Sequence, residues 1–153
     1  MKHKATQQLT HARLPKWLLP ADWPTLNGIP ELATISWSEG RIYCLCPAKG
    51  DDQGIFLNGR LVLPGLVEAH VHLDKTFTRQ RLGELQPGLL KAIDAMHLDQ
   101  SNWSYDDLYE RGEKALVQAY QNGVVALRSH VDWFSLQTPL AWQVLADLAV
   151  QWQ

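Results

Sequence analysis

His70 and His72 stand two residues apart at the end of an apolar run, Leu66-Val-Glu-Ala-His-Val-His72. In a β-strand such residues share a face and lie about 6.6 Å apart along the chain, so two imidazoles can turn onto one ion. Imidazole suits zinc and iron, and a catalytic zinc site takes three protein ligands and a water. A bare His-x-His also describes surface or core histidines, so the elements around it must decide. Directly after it comes a charged loop, Leu73-Asp-Lys-Thr-Phe-Thr-Arg79. Val124-Val-Ala-Leu-Arg128 is a second β-branched apolar run, and it ends in Ser129-His130-Val131-Asp132.

Between these runs the sequence predicts a long helical excursion. Residues 89 to 98 form a short helical pattern after Pro87-Gly88. Ser104 is the N-cap of the clearest helix, with Asp107 at the capping-box position. Leu108, Gly112, Ala115, Leu116, Ala119 and Tyr120 give that helix one packing face, and Gly123 ends it at C′. Thr138-Pro139 reads as an N-cap with Pro at N1. Leu140, Val144, Leu145, Leu148 and Trp152 form the inner face of a last helix. Strand, excursion with helix, strand and helix make a βαβα order, which implies a parallel sheet. Two parallel strands this apolar call for neighbours on both sides. The chain stops inside a helix at Gln153 without a cap and reads as cut.

Upstream the regime differs. Residues 1 to 30 read as an irregular arm interrupted by Pro15, Pro20, Pro24 and Pro30, yet apolar enough to pack on something. Leu32 to Trp37 and Arg41 to Cys46 alternate around Ser38-Glu39-Gly40, which predicts a hairpin. Ile55 to Leu57 and Arg60 to Leu63 flank Asn58-Gly59, the pair favoured in type I′ turns, and predict a second hairpin. The expected division is thus 1–63, an arm and part of a small antiparallel β module, and 64–153, two strand–helix units. With 153 residues the chain is too short for a complete eight-fold α/β barrel of about 250.

Pro64-Gly-Leu-Val-Glu-Ala-His-Val-His-Leu-Asp-Lys-Thr-Phe77 resembles the first-strand signature of the amidohydrolase superfamily. Leu73-Asp-Lys-Thr-Phe77 narrows the resemblance to the cytosine deaminase-like branch, and Leu127-Arg-Ser-His-Val-Asp132 is similar to that branch's second barrel strand. The similarity runs from about Thr10 to the last residue. It implies an α/β fold, the N-terminal part of a TIM-like (β/α)8 barrel comprising its first two units, after a small antiparallel β module. It also implies a metal-dependent hydrolase of non-peptide C–N bonds, deaminating a cytosine-like or triazine-like nitrogen heterocycle. One divalent ion, zinc or iron, would activate water, and a carboxylate would carry the proton to the leaving nitrogen.

His70 and His72 match the first two metal ligands of that pattern. No catalytic residue falls inside the chain, because the expected glutamate and the further histidines belong to later strands. Asp74 either backs a metal-bound histidine or fixes the loop by accepting backbone N–H groups. Lys75 either touches substrate or faces solvent, and Phe77 is either pocket wall or loop anchor. His130 and Asp132 share a face at the pocket rim, where they either orient the first-strand ligands or form a structural pair. Glu68, one layer deeper, is expected to be buried against Arg128. His3, His11 and His97 carry no ligand spacing, and Trp37, Trp103, Trp133 and Trp142 read as packing.

Composition bounds the partners. Fourteen Lys plus Arg against sixteen Asp plus Glu give a net charge of -2, with no basic surplus for a phosphate backbone, so nucleic acid is not expected. No apolar stretch approaches the roughly 18 residues of a membrane span, and the N-terminus lacks the apolar core of a signal peptide. Cys44 and Cys46 share one strand face, too close for an ordinary disulfide, which indicates buried thiols in a reducing cytoplasm. The expected partner is a small nitrogen heterocycle, together with self-association or a missing C-terminal portion. Two alternatives stand beside the enzyme: a truncated, inactive fragment that acts only as an associating partner, and a small binding module built on the hairpins.

Overall fold

A computed structural model describes residues 7–84, 87–133 and 135–153, so His3 lies outside the described residues. The chain divides into two compact units, Met1–Pro64 and Gly65–Gln153.

The first unit is built on a four-stranded sheet. Its strands are β1 (Gln7–Ala12), β4 (Ala33–Ser38), β5 (Arg41–Pro47) and β6 (Ile55–Phe56), in the order β5-β4-β1-β6, while β2 (Thr25–Leu26) and β3 (Ile29–Pro30) pair apart from it. The hairpin of β4 and β5 is antiparallel, with Thr34 opposite Cys46 and Ser38 opposite Arg41. Its turn places Glu39 and Gly40 at φ 54° and 73°, the left-handed pair that matches strand twist. The remainder departs from expectation in two ways. The arm contributes a central strand, because β1 pairs antiparallel with β4 and so satisfies its backbone there. The prolines begin only after Ala12, which is why they do not prevent it.

The Asn58-Gly59 turn forms, with the Arg60 amide donating to the Leu57 carbonyl at 3.0 Å, but its two limbs do not pair with each other. Both run parallel to β1: Leu9 is opposite Ile55, and the Arg13 and Val62 amides bond the Arg60 and Arg13 carbonyls at 2.9 Å. The turn sits beside a bulge in β1, where His11 takes φ 53° and its carbonyl accepts from the Gly59 amide at 2.8 Å. Two matched kinks therefore replace a hairpin. Cys44 and Cys46 are half-buried free thiols on the edge strand β5, not core residues.

In the second unit β7 (Leu66–Val71) pairs in parallel with β8 (Val124–Ser129), and α1 (Leu89–Asp99) and α2 (Tyr105–Gln121) lie on the crossover between them. A third helix, α3 (Leu140–Gln151), follows. Strands and helices alternate as in part of a (β/α) barrel, and the described residues form no closed barrel. The core is Leu108 of α2 with Ala141, Val144 and Leu148 of α3. Gly112 lets the helices meet, since a Cβ there would stand 2.7 Å from the Leu148 side chain. The Ser104 hydroxyl caps α2 by accepting from the Asp107 amide at 3.1 Å, and Gly123 follows the helix at φ 85°. Pro139 itself occupies the N-cap of α3 with no side-chain cap, so the helix starts one residue later than the sequence indicated.

Asp107 does not turn back to Ser104 as a capping-box acid would. Its carboxylate binds Arg81 at 2.6 Å and Arg111 at 2.8 Å. Arg81 also grips buried Asp99 at 2.7 Å, and the Trp103 indole donates to the same carboxylate at 2.8 Å. Arg81 holds the Asp107 carboxyl well below the usual range, with Arg111 adding to the effect against burial. Burial pushes Asp99 up, and the bonds from Arg81, Trp103 and Asn102 outweigh it to leave that carboxyl lowered too. The β7–β8 sheet has open edges, with Val67 and Val125 about 70% exposed. Beside β8 an apolar groove of about 610 Å³ is lined by Leu116, Ala119, Val125, Leu127, Leu145 and Trp152.

Two outcomes test this packing. Gly54 has φ 132°, and a Cβ there would stand 2.6 Å from the Gln8 carbonyl oxygen of β1. Backbone cannot yield as a side chain does, so Gly54→Ala should cost about 2 kcal/mol, read by amide exchange of β1. Asp99 and Asp107 titrate lower folded than unfolded, so their stabilisation is complete above about pH 4 and is lost as pH falls through their depressed folded values. The urea midpoint should therefore drop between pH 6 and pH 3, and Asp107→Asn should flatten that drop while lowering the midpoint at pH 6.

Candidate functional site

Parallel pairing decides where the chemistry-bearing residues meet. Val71 lies opposite Ser129, and the His130 amide donates to the Val71 carbonyl at 2.8 Å. The ends of β7 and β8 are thereby side by side, so the histidines that follow each strand become neighbours. The ring centroids of His70 and His72 are 5.4 Å apart. His130 stacks on His70 at 4.0 Å with an interplanar angle of 23°, and its centroid is 5.9 Å from that of His72. Stacked rings direct their in-plane lone pairs side by side rather than at a common point. His130 thus forms a shelf for His70.

Carboxylates surround His72. Its Nδ1 lies 3.7 Å from Asp74 Oδ1 and 3.8 Å from Asp132 Oδ1, beyond hydrogen-bond reach of either. His72 Nδ1, Asp74 Oδ1 and His130 Nε2 are buried polar atoms without a hydrogen-bond partner. Burial pushes the His72 imidazole below its ordinary value, with the Lys75 charge adding to that and Asp74 and Asp132 opposing it. Burial likewise raises the Asp74 carboxyl, against Lys75 and His72. Lys75 does not face solvent; its ammonium pairs with Asp132 Oδ2. Phe77 is half-buried in the left-handed region at φ 60°, under the Lys114 ammonium 4.4 Å from its ring centre.

The loop reading of Asp74, as an acceptor for neighbouring N–H groups, does not account for its unpartnered Oδ1. Glu68 also departs from expectation. It is exposed, as is Arg128, and its carboxylate accepts from the His70 amide at 3.0 Å. An exposed strand face offers no burial to force the two into a pair. Beside Asp74 and Asp132 lies a cleft of about 390 Å³, walled by Trp103, Leu108 and Val131.

Two contributors were not singled out from sequence. The Ser129 hydroxyl accepts the Leu73 amide at 3.2 Å and ties the loop to β8. Arg111, only 8% exposed, sends its guanidinium to the carbonyls of Asp74 and Thr76 at 2.7 and 2.8 Å. A charged residue three places after Leu108, on the inner stripe of an amphipathic helix, was the available signal.

The donor types here suit a divalent ion, and the orphaned ring nitrogens and carboxylate oxygen mark a polar site rather than a core. The set is nevertheless short. Among the described residues no three His, Cys, Asp or Glu side chains are arranged to hold an ion. Also among the described residues, no helix is long and apolar enough to cross a membrane.

No protein-family model matches the chain. The pterin deaminase of Rhizobium rhizogenes is 30% identical over 94 residues, covering 61% of this chain and 22% of that protein. The crystal structure of 5-methylcytosine deaminase from Klebsiella pneumoniae liganded with 5-fluorocytosine is similar over 95% of this chain and 33% of its own, with a TM-score of 0.69 and 25% identity. The same deaminase liganded with phosphonocytosine gives a TM-score of 0.70 at 24% identity, a likeness of fold. The chain therefore spans about a fifth of the curated relative and a third of the solved structures. These likenesses establish distant homology to deaminases of the amidohydrolase type, at low identity and partial coverage.

The stacked geometry carries its own test. His130→Ala should remove the ring current over His70 and move the His70 ring protons downfield in the NMR spectrum. Leu66→Ala, at the far end of β7, should leave them in place.

Proposed function

We propose that this chain forms the β module and first two strand–helix units of a metal-dependent hydrolase that deaminates a nitrogen heterocycle bearing an exocyclic amino group. The observation that carries the reading is the convergence of His70 and His72, 5.4 Å apart at the end of a parallel strand, beside buried Asp74, whose Oδ1 has no hydrogen-bond partner. A pterin deaminase and a 5-methylcytosine deaminase among the relatives point to a flat amino-substituted ring as substrate.

His70 and His72 are two ligands of one divalent ion, zinc or iron, and the remaining donors come from outside these residues. When bound, the ion supplies Lewis acidity that lets water act as a nucleophile near neutral pH. The residues of this chain prepare the position. Asp74 and Asp132 flank His72 Nδ1, favour a proton there, and leave the Nε2 lone pair for the ion. Lys75 neutralises Asp132, so the two carboxylates do not repel each other across the ring. The cleft beside them is of a size for one heterocycle, with Trp103 and Val131 as apolar walls. Hydrolysis consumes one water and exchanges the amino group for oxygen, releasing ammonia. Two free, half-buried thiols suit a reducing, cytoplasmic setting.

A second reading, an associating partner without activity, is favoured by the open sheet edges and the apolar groove beside β8. Equilibrium dialysis against zinc, with elemental analysis and solution mass, separates the two. Uptake lost in His70→Ala, His72→Ala supports the metal reading. Equal uptake by wild type and variant, or none in a folded chain, overturns it, and an associated, metal-free chain then favours the second reading.

A further inference from the structure

Resting on the metal reading of His70 and His72, we infer that Arg111, on helix α2 well away from the strand motifs, is a positioning residue for the candidate site. The loop from Leu73 to Arg81 carries Asp74 and Lys75, yet its regular structure is limited to two short 3-10 segments, Leu73–Lys75 and Thr78–Arg81. Between them Phe77 holds a left-handed φ of 60°, a conformation an aromatic residue keeps only when its surroundings impose it.

Those surroundings come largely from one stripe of α2. Asp107, Arg111 and Lys114 are spaced four and three residues apart, so they lie along one line of the helix surface. Arg111 Nη1 donates to the Asp74 and Thr76 carbonyls at 2.7 and 2.8 Å, on either side of Lys75. Its Nε and Nη2 donate to Asp107 at 3.1 and 2.8 Å, so the guanidinium has no freedom to swing. Asp107 also binds Arg81 at 2.6 Å, which anchors the far end of the loop. Lys114 sits over the Phe77 ring in the middle. The Trp103 ring faces the guanidinium carbon, 5.5 Å from its centre.

The consequence reaches the candidate ligands. Fixing the Asp74 and Thr76 carbonyls fixes the Asp74 side chain 3.7 Å from His72 and the Lys75 ammonium on Asp132. Lysine at position 111 keeps the charge but lacks the planar fork that serves two carbonyls and a carboxylate together.

The test compares wild type, Arg111→Met, Arg111→Lys and the core variant Val144→Ala, using NMR of the histidine rings and the 74–77 amides, and titration with Co2+. Arg111→Met is expected to displace the His72 ring and loop amide signals and to weaken Co2+ binding about 10-fold. Arg111→Lys should fall between it and wild type. Val144→Ala, which loosens the core formed with Leu108, Ala141 and Leu148, should leave both readouts unchanged. Should Arg111→Met fail to fold, Arg111→Lys is judged against Val144→Ala by the same signals. The inference is overturned if the arginine variants leave the His72 ring, the loop amides and the Co2+ affinity where Val144→Ala leaves them. If wild type takes up no Co2+, the metal reading falls, and the ring and amide signals alone decide whether Arg111 positions the loop.

Discussion

The parallel ladder between β7 and β8 is the constraint on which the second unit rests. Parallel strands cannot be joined by a tight turn, so the chain must travel out and back before Val124 can lie beside Leu66. That excursion supplies α1, α2 and the charged loop. The same ladder sets the register at which Val71 meets Ser129, and this register carries His130 onto the face of His70. A slip of one residue would send every side chain to the opposite face and separate the histidines.

A site at the end of two short strands needs support from elsewhere, because strand ends are free on one side. Three supports are present. Ser129 ties the start of the loop to β8, His130 shelves His70, and α2 holds the loop by its carbonyls through Arg111. The last works because a guanidinium offers several donors in a fixed plane, whereas backbone carbonyls outside regular structure have nowhere else to turn. Buried charge is tolerated there since each partner is answered: Arg81 lies between Asp99 and Asp107, and Arg111 between Asp107 and the loop. Where the answering is incomplete, among the described residues, His72 Nδ1, Asp74 Oδ1 and His130 Nε2 lie together at the candidate site, while a fourth orphaned atom, His11 Nδ1, belongs to β1. Polar atoms left unpaired in a core would only destabilise; gathered at one strand end, they read as prepared for a ligand.

Apolar surface gives the complementary view. Strands of a parallel sheet are ordinarily covered on both faces, yet Val67 and Val125 are mostly exposed and a long groove runs beside β8. Among the described residues, donors for a complete ion site and cover for these faces are both wanting. The relatives extend well beyond the stretch this chain matches.

Local pattern carried much of this into the sequence. Alternation placed β4 and β5, and positive-φ chemistry at Glu39-Gly40 placed their turn. Ser104 and Gly123 bounded α2 because capping is decided within a few residues. The nearness of the His70 and His72 rings was legible since period two is a property of the strand alone. Tertiary structure decided the rest. The Asn58-Gly59 turn was correctly placed, but whether its limbs pair with each other or with β1 depends on a bulge at His11, more than forty residues away. The first strand itself was hidden, for a polar segment such as Gln7–Ala12 becomes a strand only where another edge accepts it. Likewise, no local rule states that Arg111 reaches the Asp74 carbonyl or that Lys75 turns from solvent to Asp132. These are distances between elements, and they exist only once α2 has packed beside the loop and β8 beside β7.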